Sequence, residues 1–204
     1  DALQPLLFKT PVDIGFVIDN SGSMGGVIGQ VRQHIGNFTK EMKEAGFNVA
    51  FGLAKSGKAN DTDGVDQVAD IGDPTFDSEL QNLTAGPGGA MDNYAAMANT
   101  TFDDRPGNND PDLFGWRGEN RYGILVTDTT GSEPFPAGSI QGDTEASVAA
   151  GMAAAGVGFH GIVGGSRSRT MSSTTKSGIA AAVGGCVAGG RTAPAWWLQT
   201  YSYF

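Results

Sequence analysis

The sequence predicts an α/β fold with a doubly wound, mostly parallel central sheet flanked by helices, and two features of the chain indicate it. Apolar stretches of strand length alternate with stretches of helical periodicity along the 204 residues, which is the pattern of repeated βαβ units. The apolar stretches are also nearly continuous, as expected of strands that helices cover on both faces. Because a chain of this length is of ordinary size for one core, we expect a single domain over residues 1–204.

The first predicted strand, 12–18, ends at Asp19. The residues that follow predict a helix that closes near Gly46, because its apolar side chains recur at spacings of three and four. They are Val27, Val31, Ile35, Phe38 and Met42. A second strand is predicted over 47–54.

The later elements continue the alternation. A short edge strand over 67–71 is followed by a helix over 90–102, and a strand over 122–127 ends at Asp128. The remaining predicted elements are a helix over 144–155, a strand over 157–163, a helix over 174–183 and a short strand over 186–188.

The longest connection, 103–120, is inserted between a predicted helix and a predicted strand. Its sequence, DDRPGNNDPDLFGWRGEN, is rich in turn-forming residues and too long for a simple connection. The insertion is either a functional surface loop, which would give selectivity to a neighbouring ligand site, or a local elaboration of the fold.

Composition and charge exclude two classes of function. The chain has 13 Lys and Arg residues against 22 Asp and Glu residues, a net charge of −9, which disfavours the phosphate backbone of nucleic acids. No apolar stretch approaches the roughly 20 residues that a membrane-spanning helix needs, so we expect no membrane insertion. The 32 glycines are more typical of a loop-rich secreted module than of a cytosolic enzyme.

Two aspartates follow predicted strands and therefore meet at the carboxyl edge of the sheet, where α/β proteins bind ligands. Asp19 begins the stretch Asp-Asn-Ser-Gly-Ser, in which Ser21 and Ser23 alternate with it, and Asp128 follows another strand. Carboxylate and hydroxyl oxygens without nitrogen or sulfur are ligands for Mg²⁺, Ca²⁺ or Mn²⁺. Hydroxyl ligands add no negative charge, so the ion can still capture a carboxylate from another molecule.

The stretch VDIGFVIDNSGSM resembles the first strand and the metal-ion-dependent adhesion site of the von Willebrand factor A family, which includes integrin I domains. Three later stretches are similar to the same family, in the same order along the chain. They are DPTFDSELQNLTAGPGGAMDNYAAM for the second-loop region, RYGILVTDTT for the fourth strand and third loop, and TTKSGIAAAVGGCV for the last helix and strand.

The resemblance implies one metal ion, Mg²⁺ or in its place Ca²⁺ or Mn²⁺, held by two loops. Its ligands from the first and third loops would be Asp19, Ser21, Ser23 and Asp128. The second loop of the family supplies a Thr or Glu ligand, but Gly88 or Ala90 stands there in this chain and neither has a side-chain oxygen. Asp92 is the nearest substitute.

Three readings of function follow. The first is an adhesion or ligand-binding module, not an enzyme, whose metal ion binds a protein or other acidic partner; it would be extracellular or on the cell surface, in a larger multidomain protein. The second is an intracellular domain of this family in a chelatase or ATPase complex. The third, a metal-dependent hydrolase, has little support because the sequence lacks a G-x-S-x-G elbow and a P-loop.

For two stretches of the sequence, a simpler interpretation is an alternative to metal binding. Asp19 and the serines after it have the composition of a hydrogen-bonded turn that caps the first helix. The acidic stretch 60–70 has incomplete calcium-loop spacing, because Ala59 stands at its first ligand position, and a solvated loop is the better interpretation.

Overall fold

Six strands form one sheet in the order β3-β2-β1-β4-β5-β6 within the part of the chain that the structure describes. The structure is a computed structural model, and it describes residues 10–56, 65–86, 93–102, 114–128, 145–164 and 198–201. The strands are β1 (Val12–Asp19), β2 (Val49–Ser56), β3 (Val65–Ala69), β4 (Asn120–Thr127), β5 (Val157–Gly164) and β6 (Leu198–Tyr201). The helices are α1 (Ile28–Glu44), α2 (Phe76–Asn82), α3 (Asn93–Thr101) and α4 (Glu145–Ala155).

The four central strands β2, β1, β4 and β5 are parallel, and the edge strands β3 and β6 are antiparallel to their neighbours. Strand β1 lies between β2 and β4, with Val12 opposite both Val49 and Asn120. This central position explains the continuous apolar stretch, since Phe16, Val17 and Ile18 are at most 2% exposed. The predicted α/β class and its mostly parallel sheet are confirmed.

Helices cover both faces of the sheet, as a doubly wound fold requires. Helices α1 and α2 pack on one face, where Val31 and Leu80 join Phe16 and Phe51 in one buried cluster. On the other face α3 and α4 contribute Met97 and Val148 to a second cluster, together with the strand residue Leu125. Among the described residues, no helix is both long and apolar enough to cross a bilayer.

Strand β2 begins and ends two residues later than predicted. Gly46 has a φ of +82°, and the backbone N–H of Phe47 donates to the carbonyl of Met42 at 3.2 Å, so Phe47 belongs to the C-terminal turn of α1. The strand therefore starts at Val49 and carries the polar residue Ser56 at its carboxyl end.

Helix α2 was not predicted, because it is only seven residues long and follows a turn. Its signal was the spacing of four between Phe76 and Leu80, both buried, after an Asp73 carboxylate that accepts hydrogen bonds from the N–H and hydroxyl of Thr75. Strand β6 was not predicted either. The predicted helix 174–183 and strand 186–188 lie outside the described residues.

The C-terminal part of the insertion is anchored at the amino-terminal edge of the sheet. The ring of Phe114 lies against β1 and β2, where it leaves no room for a Cβ at Gly15 or Gly52. The next residues are fixed by the buried Asp13 at the start of β1, which accepts hydrogen bonds from the backbone N–H groups of Arg117 and Gly118. The insertion therefore returns to the sheet at the edge opposite Asp19.

Candidate metal centre

Asp19 ends β1 and is completely buried, with both carboxylate oxygens engaged. Its Oδ1 accepts a hydrogen bond from the backbone N–H of Ser21 at 2.8 Å, and its Oδ2 accepts one from the Thr127 hydroxyl at 2.7 Å. Thr127 is the last residue of β4, so this bond ties together the ends of two neighbouring strands. All of these donors are neutral.

A chain of side-chain hydrogen bonds leads from the first loop to Asp128. The hydroxyls of Ser21 and Ser23 lie 3.0 Å apart, and the Ser23 hydroxyl donates to Asp128 Oδ1 at 2.9 Å. Ser21 is 5% exposed, whereas Ser23 is exposed and Asp128 is half-buried. This series of hydrogen bonds therefore runs from the interior to the surface. The structure thus brings together four of the five residues predicted to bind metal.

The first loop holds this arrangement through a short 3-10 helix, Gly22–Gly26, whose buried Met24 anchors it to the core. The Met24 N–H donates to the Ser21 carbonyl at 3.0 Å, which turns the chain so that Ser21 and Ser23 lie on the same side. Neither this helix nor α1 has a side-chain capping hydrogen bond. The capping part of the simpler interpretation is therefore wrong, since the serine hydroxyls bond to each other and to Asp128. Its hydrogen-bonded turn is present, because Asp19 Oδ1 accepts a hydrogen bond from the Ser21 N–H.

Among the described residues, no basic side chain neutralises the two carboxylates of the site. Within the described ranges no Lys or Arg forms an ion pair with Asp19 or Asp128, and the ion pairs there lie elsewhere. Burial raises the pKa of the Asp128 carboxyl, the negative charge of Asp19 raises it further, and the hydrogen bond from Ser23 opposes both. A positive charge at this position would relieve the repulsion between the two carboxylates.

Two further oxygens at this edge are buried and have no hydrogen-bond partner: Asn20 Oδ1 and Ser56 Oγ. Asn20 follows Asp19 in the chain, and Ser56 is opposite Asp19 in the β1–β2 register. A buried polar group left without a partner costs about 1–3 kcal/mol, so these atoms are suited to an additional water or ion.

The donor set fits a hard cation. It consists of oxygens only, from carboxylates and hydroxyls, which suits Mg²⁺, Ca²⁺ or Mn²⁺. Among the residues described, no three His, Cys, Asp or Glu side chains converge on one point. Of the four predicted ligands that the structure describes, two, Ser21 and Ser23, would therefore be uncharged.

The second loop approaches the site at its start, since the N–H of Gly86 donates to the Asn20 carbonyl at 2.6 Å. Gly88, Ala90 and Asp92 follow it but lie outside the described residues. The ligand role of Asp92 therefore stays a prediction. So does the calcium-loop alternative at 60–70, because 60–64 lie outside the described part as well.

The expectation that the insertion borders the metal site does not hold for the part of it that the structure describes. Arg117 contacts Asp13 at the start of β1, six residues before Asp19, which corresponds to about 20 Å along a strand. The reason is topological: a connection from a helix into a parallel strand returns to the amino-terminal edge of the sheet. Residues 114–119 are thus too far away to give the site its selectivity.

Three residues of the site were missed from sequence: Asn20, Ser56 and Thr127. Side chains alternate along strands, and the registers of β2, β1 and β4 then place Ser56, Asp19 and Thr127 in one row on the same face. A polar residue at the end of each of three apolar strands was the available signal.

No family model matches the sequence, and no curated protein matches it. Solved structures do match in fold. The pilus adhesin SpaC from Lactobacillus rhamnosus GG, in its open conformation, aligns with a TM-score of 0.56 and 17% identity over 85% of this chain and 27% of its own. Proximal thread matrix protein 1 from the mussel byssus aligns with a TM-score of 0.55 and 16% identity over 85% of this chain and 39% of its own.

Identity at this level shows a shared fold alone. The chain spans well under half the length of either structure, so its fold corresponds to one part of each of these larger chains.

Proposed function

We propose that this domain is a binding or adhesion module in which a divalent cation, held at the carboxyl edge of the sheet, captures an acidic group of a partner. The observation that carries the proposal is the hydrogen-bonded row Asp19, Ser21, Ser23 and Asp128, assembled from the ends of two strands. The similarity of these residues to the adhesion-site motif of the von Willebrand factor A family supports the same assignment.

The residues divide into two roles. The buried Asp19 would fix the ion in the sheet edge, because its carboxylate is oriented by Ser21 and Thr127. Ser21 and Ser23 would complete the coordination without adding charge, and Asp128 would bind directly or through water. The ion supplies a positive charge that can bind a carboxylate from outside, which is the chemistry of recognition rather than of turnover.

The location and partner belong to the same proposal. A fold shared with a pilus adhesin and a byssus matrix protein supports an extracellular or cell-surface module of a larger protein, with a protein or other acidic ligand as partner. We propose no catalytic activity; a role inside a chelatase or ATPase complex is the alternative and predicts an intracellular ATPase partner.

Calorimetric titration with Mg²⁺, Ca²⁺ and Mn²⁺ in chelator-stripped buffer tests the metal. We expect one site in the wild-type protein and no measurable Mg²⁺ binding by Asp19→Asn or by Ser21→Ala. Asp77→Asn and Ser78→Ala are matched controls on α2, at exposed positions, and should bind as the wild type does. Equal Mg²⁺ affinity in Asp19→Asn and Asp77→Asn would overturn the proposal.

The partner chemistry is tested with an immobilised library of short peptides that carry Asp or Glu at the centre, paired with the same library carrying Asn or Gln. We expect retention only of acidic peptides, only with Mg²⁺ or Mn²⁺, and not by Asp19→Asn. Retention that persists in EDTA would show that recognition does not use the metal.

A further inference from the structure

Thr127 joins the end of β4 to the buried carboxylate at the end of β1. Thr127 and Asp19 are both completely buried, and the Thr127 hydroxyl donates to Asp19 Oδ2 at 2.7 Å. This length is typical of a hydroxyl that donates to a charged carboxylate, a bond stronger than one between neutral groups. Thr127 therefore holds one oxygen of Asp19 at a position that solvent does not reach.

The other oxygen of Asp19 is held independently. Its Oδ1 accepts a hydrogen bond from the Ser21 N–H at 2.8 Å, so the two donors come from different elements, the first loop and β4. The carboxylate cannot turn about its Cβ–Cγ bond without breaking one of these hydrogen bonds. Because a carboxylate has two acceptor positions on each oxygen, both oxygens can still bind a cation. Asp19 is thus fixed in orientation and open to an ion.

The Thr127 hydroxyl is itself held in place. Threonine is branched at Cβ, which restricts its side-chain rotation in a strand, and the pairing of β1 with β4 extends to Ile18 and Val126, directly before Asp19 and Thr127. The next residue, Asp128, accepts a hydrogen bond from the Ser23 hydroxyl at 2.9 Å. Two consecutive residues of β4 therefore hold two of the predicted metal ligands.

A fixed carboxylate affects Mg²⁺ and Ca²⁺ differently. Mg²⁺ requires nearly ideal octahedral geometry with bonds of about 2.0–2.1 Å, whereas Ca²⁺ accepts variable geometry with bonds of about 2.3–2.6 Å. A ligand that cannot turn therefore suits Mg²⁺, and one that can turn penalises Mg²⁺ more than Ca²⁺.

We propose that Thr127 is a positioning residue that acts on the ion through Asp19 and makes the metal centre prefer Mg²⁺ to Ca²⁺. The inference rests on the proposed metal function and names the ion that this function uses. Thr127 does not need to touch the ion, because its effect is to keep the Asp19 carboxylate in one orientation.

The test compares the Mg²⁺ and Ca²⁺ affinities of the wild type, Thr127→Val and Thr127→Ser by calorimetric titration in chelator-stripped buffer. Valine keeps the shape of the side chain and removes the hydroxyl. Partners that orient a metal ligand typically contribute about ten- to a hundredfold in affinity, so we expect Thr127→Val to bind Mg²⁺ at least about tenfold more weakly. The loss for Ca²⁺ should be smaller. Thr127→Ser keeps the hydroxyl and should restore most of the Mg²⁺ affinity.

The ratio of Mg²⁺ to Ca²⁺ affinity separates positioning from a purely structural role. Removing a buried hydrogen bond lowers the Tm in EDTA in either case, so the Tm alone does not decide. Thr39→Val is the matched control, because it removes a buried hydroxyl that donates to the Gly36 carbonyl on α1. It should lower the Tm and leave the ratio of the two affinities unchanged.

The outcomes distinguish the two proposals. Wild-type affinities for both ions in Thr127→Val, with loss of Mg²⁺ binding in Asp19→Asn, overturn the role of Thr127 and leave the metal proposal intact. Equal losses for both ions in Thr127→Val, or a wild-type protein that prefers Ca²⁺, overturn it as well. If the wild-type protein binds no divalent ion, both proposals fail. Should Thr127→Val not fold, Thr127→Cys, which replaces the hydroxyl with a weak S–H donor, is measured in its place.

Discussion

Strand β1 carries a completely buried aspartate at each end, and the two aspartates have different hydrogen-bond and ion-pair partners. Asp13, at the start, pairs with the Arg117 guanidinium at 2.7 Å and also accepts hydrogen bonds from two backbone N–H groups. Asp19, at the end, receives only neutral donors and has Asp128 as a charged neighbour.

The two carboxylates differ in whether the described part of the chain supplies a compensating positive charge. A buried charge is tolerated when the chain itself supplies the compensating charge, and Asp13 meets this condition. At Asp19 the described residues supply none, and in our proposal a bound cation supplies it. Burial alone would not have separated the two, because both residues are 0% exposed.

The largest difference in Tm should come from the same Asp→Asn substitution at the two ends of β1. Asp13→Asn removes the ion pair and should destabilise the protein by roughly 2–4 kcal/mol, somewhat less than a fully buried pair because Arg117 is partly exposed. That corresponds to a fall in Tm of about 4–16 °C for a chain of this size. Asp19→Asn should change the Tm much less when both are measured by calorimetry in EDTA. Equal falls would remove the distinction between the two ends.

Mg²⁺ should raise the Tm only through the Asp19 end of β1. A ligand at a hundred times its Kd stabilises the folded state by about 2.7 kcal/mol, which is about 5–11 °C in Tm. We expect this rise in the wild-type protein and in Asp13→Asn, and no rise in Asp19→Asn, by thermal shift with and without Mg²⁺. A rise in Asp19→Asn would mean that the ion binds elsewhere.

The pH dependence of Asp128 should be opposite to that of a salt-bridged carboxylate. Its pKa is raised in the folded state by burial and by Asp19, so its contribution to stability is present below the unfolded pKa of about 3.9 and is lost as the pH rises through the folded pKa. In EDTA, Asp128→Asn should therefore melt above the wild type at pH 7 and not at pH 3. An equal difference at both pH values would contradict the assignment.

The smallest effect on the Tm is expected at Asp73, a partly exposed residue before α2. The hydrogen bonds from the backbone N–H and then the hydroxyl of Thr75 lower its pKa, so its contribution is present above about pH 3.9 and is lost as the pH falls through the lower folded pKa. Asp73→Ala should reduce the Tm slightly at pH 7 and less at pH 2. A larger reduction at pH 2 would show that packing, not charge, is responsible.

Sequence reasoning recovered the parts of the fold that depend on apolar pattern. Strand β1 and helix α1 were predicted within one or two residues, because their buried side chains follow a regular period. Helix α2 follows a local hydrogen-bonded turn at Asp73, and the start of β2 depends on the left-handed conformation of Gly46. Such local features are not visible in the apolar periodicity of a few residues.

At the candidate site, the motif and the strand ends identified Asp19, Ser21, Ser23 and Asp128. Ser56 and Thr127 could not be chosen from sequence alone, since their relevance comes from strand register, which is a three-dimensional property. The expected place of the insertion beside the site does not hold for residues 114–119, for a related reason: the edge of the sheet to which they return depends on strand direction.

The ring of Phe114 over Gly15 and Gly52 also has a consequence for the order of events during synthesis. Strand β1 emerges from the ribosome before its neighbour β4 and before the ring that fills the space above Gly15, which come about a hundred residues later in the chain. Contacts so distant in sequence slow folding, because a long loop must close first. The first strand is therefore expected to stay uncovered on this face until residues 114–127 have been made.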